Sequence, residues 1–141
     1  MNEKLGLIVA RRSVRKYEDK AIPDEALADI LEAAMSAPSA CAKDPWHFIV
    51  VRDKGMLKRI AGALPNGKML AEAGAGIVVC ADITKAHDRQ ESYMLQDCSA
   101  AIENILLAAT ALGLGACWLG VHPRPDRIAH IRGIFSLSDS I

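Results

Sequence analysis

Residues 11–17 read Arg11-Arg12-Ser13-Val14-Arg15-Lys16-Tyr17. Four cations and a hydroxyl within six residues can hold a phosphate. Guanidinium forks match paired phosphate oxygens, and the serine adds a neutral hydrogen bond. Taken alone, such a run is more often a solvated turn before a helix. Its weight comes from blocks further along the chain: Ala37-Pro38-Ser39-Ala40, then Pro45-Trp46-His47-Phe48-Ile49-Val50-Val51, and then Trp118-Leu119-Gly120-Val121.

Other chemistries find little support. None of His47, His87, His122 and His130 stands with a serine in a nucleophile elbow. His47, beside Trp46 at the head of an apolar run, reads as a packing or hydrogen-bonding residue. His122 is the histidine expected near a pocket. Asp97 and Glu103 sit six residues apart on one helix, so they point in different directions and make no acid–base pair. Cys41, Cys80, Cys98 and Cys117 form no Cys-x-x-Cys pair, which favours buried reduced thiols over a metal site or a disulfide framework. No metal site is expected. A protein without its own acid, base, nucleophile or metal must leave difficult chemistry to a bound cofactor. A phosphate clamp, a core of small apolar residues and strands ending in glycine fit flavin mononucleotide (FMN).

The elements that position these residues follow from periodicity. A chain of 141 residues is most simply one domain, able to bury roughly two thirds of its unfolded surface. Lys+Arg and Asp+Glu balance at 17 each, which argues against a broad nucleic-acid or acidic-membrane surface. The segment before Arg11 is too short in apolar residues for a secretory leader, and Cys98 to Val121 is interrupted by polar residues and glycines. The expectation is a cytoplasmic protein. Helices are predicted from Pro23 to Met35, Leu57 to Leu64, Glu91 to Leu112 and Pro125 to Ile134, with a brief helical turn over Lys68 to Glu72. Buried strands are predicted at Trp46 to Arg52, Ile77 to Ala81 and Ala116 to Val121. This alternation indicates a layered α/β or α+β domain, and no Gly-x-Gly-x-x-Gly follows a strand to mark a dinucleotide-binding unit. The helix from Glu91 is apolar on nearly every face and must be covered all round. A partner subunit is the natural cover; the alternative is a central helix wrapped by its own chain.

These blocks, together with Ala100-Ala101-Ile102-Glu103-Asn104-Ile105-Leu106-Leu107-Ala108-Ala109 and Gly113-Leu114-Gly115-Ala116-Cys117, resemble the nitroreductase family, in order and over almost the whole chain. The resemblance implies an α+β fold, a three-layer sandwich with a central mixed β-sheet flanked by helices. It implies a homodimer with FMN at the interface, reducing nitro, quinone or similar acceptors with NADH or NADPH in a ping-pong cycle. Arg11, Ser13 and Arg15, with Arg12 beside them, match contacts to the flavin phosphate and ribityl chain. Pro38, Ser39 and Ala40 match a loop reaching the flavin from the other subunit. Trp118, Leu119, Gly120 and Val121 match the segment passing the isoalloxazine ring, and Asn66 matches a ring-edge contact. No residue is expected to be catalytic in its own right.

Two departures stand out. Ala42 and Asp44 occupy positions where the family usually has Asn and Gln, so Asp44 is expected to bring negative charge near the ring. The sequence also stops at Ile141, where the family continues with a strand and a basic tail, so the clamp would rest more heavily on Arg11 and Arg15. A specialised branch of the family, such as a dehalogenase, and a non-catalytic or weakly active flavin-binding dimer are the alternatives to turnover.

Overall fold

The computed structural model describes residues 2–141. Strand β1, Trp46–Val51, pairs along its whole length with antiparallel β2, Gly76–Ala81. The register sets Trp46 opposite Ala81 and Val51 opposite Gly76. Pro45 has no amide to give a ladder and marks the start of β1. Asp53 follows its end, where the carboxylate accepts the Met56 amide at 2.7 Å and caps the next helix.

Among the described residues there are five α-helices: α1 (Gly6–Ala10), α2 (Asp24–Met35), α3 (Lys54–Ala61), α4 (Glu91–Ala111), which packs on both strands, and α5 (Pro125–Phe135). Helix α2 opens after Pro23 with Asp24 and Glu25 in its first turn, where the helix dipole favours acids. It packs against α4, and Asn104 Nδ2 donates to the Ala33 carbonyl at 2.9 Å across that contact. Gly113 stops α4 with φ of +71°, a conformation that suits a residue without Cβ.

Leu57 is fully buried and packs with Val51, Ile60, Leu64 and Ile131 in the hydrophobic core. Helix α4 is less well covered. Its buried residues are Asp97, Ala101, Leu106 and Ala109, whereas Ile102, Ile105 and Leu107 are only half-buried. Leu7, Ile8 and Val9 of α1, which packs on α4, are exposed.

Two expectations are corrected. Ala116 to Val121 is not a strand: apart from one parallel bridge between Ser13 and Ala116, no segment among the described residues supplies a ladder. Its apolar side chains serve another purpose, since Leu119 and Val121 pack on the core from irregular chain while Trp118 is exposed. The thiols are also not uniformly buried. Cys41 is exposed on a loop, and Cys80, Cys98 and Cys117 are half-buried and free.

Candidate functional site

The basic run and residues 115–121 meet although a hundred residues separate them. The Val14 amide donates to the Ala116 carbonyl at 2.9 Å, completing the Ser13–Ala116 bridge. Gly115 permits this approach, because a Cβ there would stand 2.8 Å from Val14 Cγ1. The Tyr17 hydroxyl donates to the Val14 carbonyl at 2.8 Å. Burial, and then Cys117, raise the Tyr17 pKa, while Arg15 opposes them. Tyr17 is therefore an uncharged brace behind the run.

Arg11 lies at the foot of this segment, its Nε 3.5 Å from Glu103 Oε1 on α4. A partly exposed pair of this kind contributes little to stability and leaves the guanidinium able to take another anion. Arg12, Ser13 and Arg15 are exposed, and Arg15 Nη1 reaches the Ser13 carbonyl at 3.4 Å. The run offers several charged donors on one short extended stretch, which is the donor set a dianionic phosphate requires.

Beyond the bridge, Gly120 is exposed, and a Cβ there would have no atom within 4 Å. Among the described residues, the amides of Trp118, Leu119 and Gly120 have no hydrogen-bond acceptor within the chain. The Gly120 carbonyl accepts from Arg127 Nη1 at 2.9 Å. Asn66 is exposed in the neighbouring turn; a Cβ on Gly67 would lie 3.2 Å from Leu119 Cδ1. The strip thus combines an indole, a side-chain amide and unpartnered backbone donors, suited to the edge of a flat heteroaromatic ring.

The third group is the loop after α2. The Ala40 amide donates to Asp97 Oδ1 at 2.8 Å, tying the loop to α4. Asp97 is buried, and its Oδ2 has no partner among the described residues. Ser39 Oγ donates to Asp44 Oδ1 at 2.5 Å, and the Asp44 amide returns a bond to Ser39 Oγ at 3.0 Å. The Asp44 carboxylate is therefore engaged within its own loop. Those bonds hold Cys41, Ala42 and Asp44 at positive φ, a region non-glycine residues rarely adopt. Among the described residues, no hydrogen bond or ion pair joins Pro38, Ser39 or Ala40 to the basic run or to the Trp118 strip. A single chain thus presents two separate parts of the expected site.

The remaining candidates fall elsewhere. His122 is exposed, with Nδ1 3.9 Å from Glu91 Oε1. His47 lies on β1, where its carbonyl accepts the Cys80 thiol at 3.6 Å. Sequence reasoning missed the positioning roles of Asp97, Glu103 and Arg127. The available signal for Asp97 was an acid set between the apolar positions Leu95, Cys98 and Ala101. Among the described residues no cluster of His, Cys, Asp or Glu could hold a metal, and no helix is long and apolar enough to cross a membrane.

The sequence profile described as the nitroreductase family matches residues 8–65 and 61–141. The chain belongs to the nitroreductase family. A provisionally named NADH dehydrogenase/NAD(P)H nitroreductase of Archaeoglobus fulgidus is 51% identical over 141 residues, covering 100% of this chain and 80% of that one. The crystal structure of a protein from Parabacteroides distasonis, with the same provisional name, has 42% identity and a TM-score of 0.92. It covers 99% of this chain and 81% of its own. A provisionally assigned nitroreductase of Desulfovibrio desulfuricans, solved with FMN, has 35% identity and a TM-score of 0.84 over 98% of this chain and 78% of its own. The α+β nitroreductase fold is therefore shared.

Proposed function

We propose that residues 1–141 form one FMN-binding unit of a homodimeric oxidoreductase. It takes reducing equivalents from NADH or NADPH and delivers them to a nitro compound, a quinone or a similar small acceptor. The observation that carries this reading is the Ser13–Ala116 bridge, which puts the basic run beside a strip of free amides. The donor set fits FMN: charge at one end, neutral directional donors at the other.

In this reading Arg11, Arg12, Ser13 and Arg15 hold the phosphate and ribityl chain. Backbone groups of Trp118, Leu119, Gly120 and Val121, with Asn66, line the ring edge. Pro38, Ser39 and Ala40 serve the flavin of the other subunit, which accounts for their separation from the rest of the site within one chain. Half-covered α4 and exposed Leu7, Ile8 and Val9 supply the apolar face for pairing. Bound FMN supplies the two-electron chemistry between the nicotinamide and the acceptor. The residues bind and orient it and leave one face open, where donor and acceptor are received in turn in a ping-pong scheme. Water provides the proton for the reduced acceptor oxygen.

The test is steady-state oxidation of NADH and of NADPH by the FMN-loaded protein, with a quinone and with a nitroaromatic acceptor. Acceptor-dependent oxidation with parallel double-reciprocal lines is expected. Tight FMN binding without turnover on either acceptor would overturn the enzymatic reading.

A further inference from the structure

Cys41 Sγ lies 3.7 Å from His87 Nε2, across 46 residues of sequence. Both line an open concavity of about 530 Å³ whose wall also carries Lys43, Lys85, Asp88 and Arg89. Three permanent cations and an imidazole therefore face a space that one thiol borders, with a single carboxylate among them. His87 is held in place: its ring stacks at a tilt on Tyr93, centroids 5.1 Å apart, and Nε2 is 3.3 Å from Asp88 Oδ2. A proton passed from the thiol to Nε2 would lie within reach of both the sulfur and the Asp88 carboxylate, so the resulting imidazolium has two anionic neighbours. The other thiols lack this setting. Burial raises the pKa of Cys80, and burial, Cys80 and Asp97 push that of Cys98 up to about 12. Cys117 Sγ is turned to the Trp118 carbonyl at 3.5 Å.

We propose that Cys41, with His87 as its base, is a site of reversible thiolation by small disulfides that carry anionic groups. The Cys41 thiolate attacks one sulfur of the disulfide. A new S–S bond forms to Cys41 as the old one breaks, and the departing thiolate takes the proton from His87. The electron pair of the old S–S bond leaves with the departing sulfur, which falls to the thiol level as Cys41 rises to the disulfide level, so the number of disulfide bonds is unchanged. Lys43, Lys85 and Arg89 select acidic disulfides by attracting their carboxylates or phosphates. The reaction itself needs neither flavin nor nicotinamide, so it is read without turnover of the oxidoreductase.

The experiment exposes the full chain to oxidised glutathione, which is anionic, and separately to cystamine, which is cationic. Site-resolved mass spectrometry follows each cysteine over time. Exposure alone would favour Cys41 with either reagent, so the discriminating arms are charge and base. Glutathione is expected on Cys41 at least about tenfold faster than on Cys80, Cys98 or Cys117, and faster than cystamine. Dithiothreitol should remove it. His87→Gln should slow the reaction about tenfold, the scale on which losing a paired base acts. Cystamine reacting as fast as glutathione in the unaltered protein would overturn the assignment, as would an unchanged rate in His87→Gln.

Discussion

The Val14 amide donates to the Ala116 carbonyl at 2.9 Å, and Gly115 next to it has no room for a side chain against Val14. That close approach joins the basic run to the Trp118 strip. Gly115→Val should therefore separate them. Overpacking of this kind costs about 1–3 kcal/mol, and a β-branched Val14 cannot easily turn aside. A lower urea midpoint together with weaker FMN binding is expected. A Gly115→Val protein with both values unchanged would show that the bridge is dispensable.

Asp97 anchors the Ser39–Asp44 loop through one oxygen while leaving the other unpartnered. Asp97→Ala leaves the Ala40 amide without an acceptor and should cost about 1–3 kcal/mol. Asp97→Asn keeps an acceptor for that amide and should lose less. Urea unfolding of the two variants checks the order. If Ala is as stable as Asn, the bond to Ala40 contributes nothing.

Glu103 competes with any bound anion for Arg11. Glu103→Gln should tighten binding of FMN by about 0.5 kcal/mol, the scale of a partly exposed ion pair, and the gain should shrink in high salt. Calorimetric titration at two salt concentrations measures it. Weaker binding in Glu103→Gln would mean that Glu103 positions the guanidinium more than it occupies it.

The half-buried thiols Cys80 and Cys98 give stability an alkaline dependence. Burial holds the Cys98 pKa near 12, above its ordinary value of 9.0, and burial shifts Cys80 in the same direction. Between those values the unfolded chain gives up its thiol proton first, so unfolding gains as pH rises. The contribution to stability is complete below pH 9 and is lost as pH climbs towards 12. Thermal midpoints should fall from pH 9 upward, and Cys98→Ala should flatten the decline. An equally steep fall in that variant would assign the alkaline dependence elsewhere.

Much of the fold was legible because it is written in local periodicity. The spacing of Leu27, Ile30, Leu31 and Ala34 specifies α2, and the acids after Pro23 mark where it begins. The uninterrupted apolar runs at Trp46 and Ile77 specify β1 and β2. Residues 116–121 carry the same apolar signature yet form no strand, because a ladder requires a neighbour and composition does not encode one. The basic run and the Trp118 strip could be read as candidate parts from residue types. Their pairing could not, since it depends on a single bridge across a hundred residues. Asp97 and Glu103 escape notice for the same reason: each acts on a segment distant in sequence, through one polar contact. Arg127 reaches only seven residues back to Gly120, but from a helix onto irregular chain whose path periodicity does not encode. The bond from Ser39 to the Asp44 carboxylate, formed inside the loop, is likewise not encoded in periodicity.

The central claim is that the N-terminal arginines grip the phosphate of a flavin. Titration of the purified protein with FMN, followed by visible absorbance, tests it when Arg11→Ala is run alongside. The unaltered protein should bind and turn yellow, and Arg11→Ala should bind about 2 kcal/mol more weakly, roughly thirtyfold. A colourless protein that takes up no FMN, or an Arg11→Ala variant of equal affinity, would contradict the account.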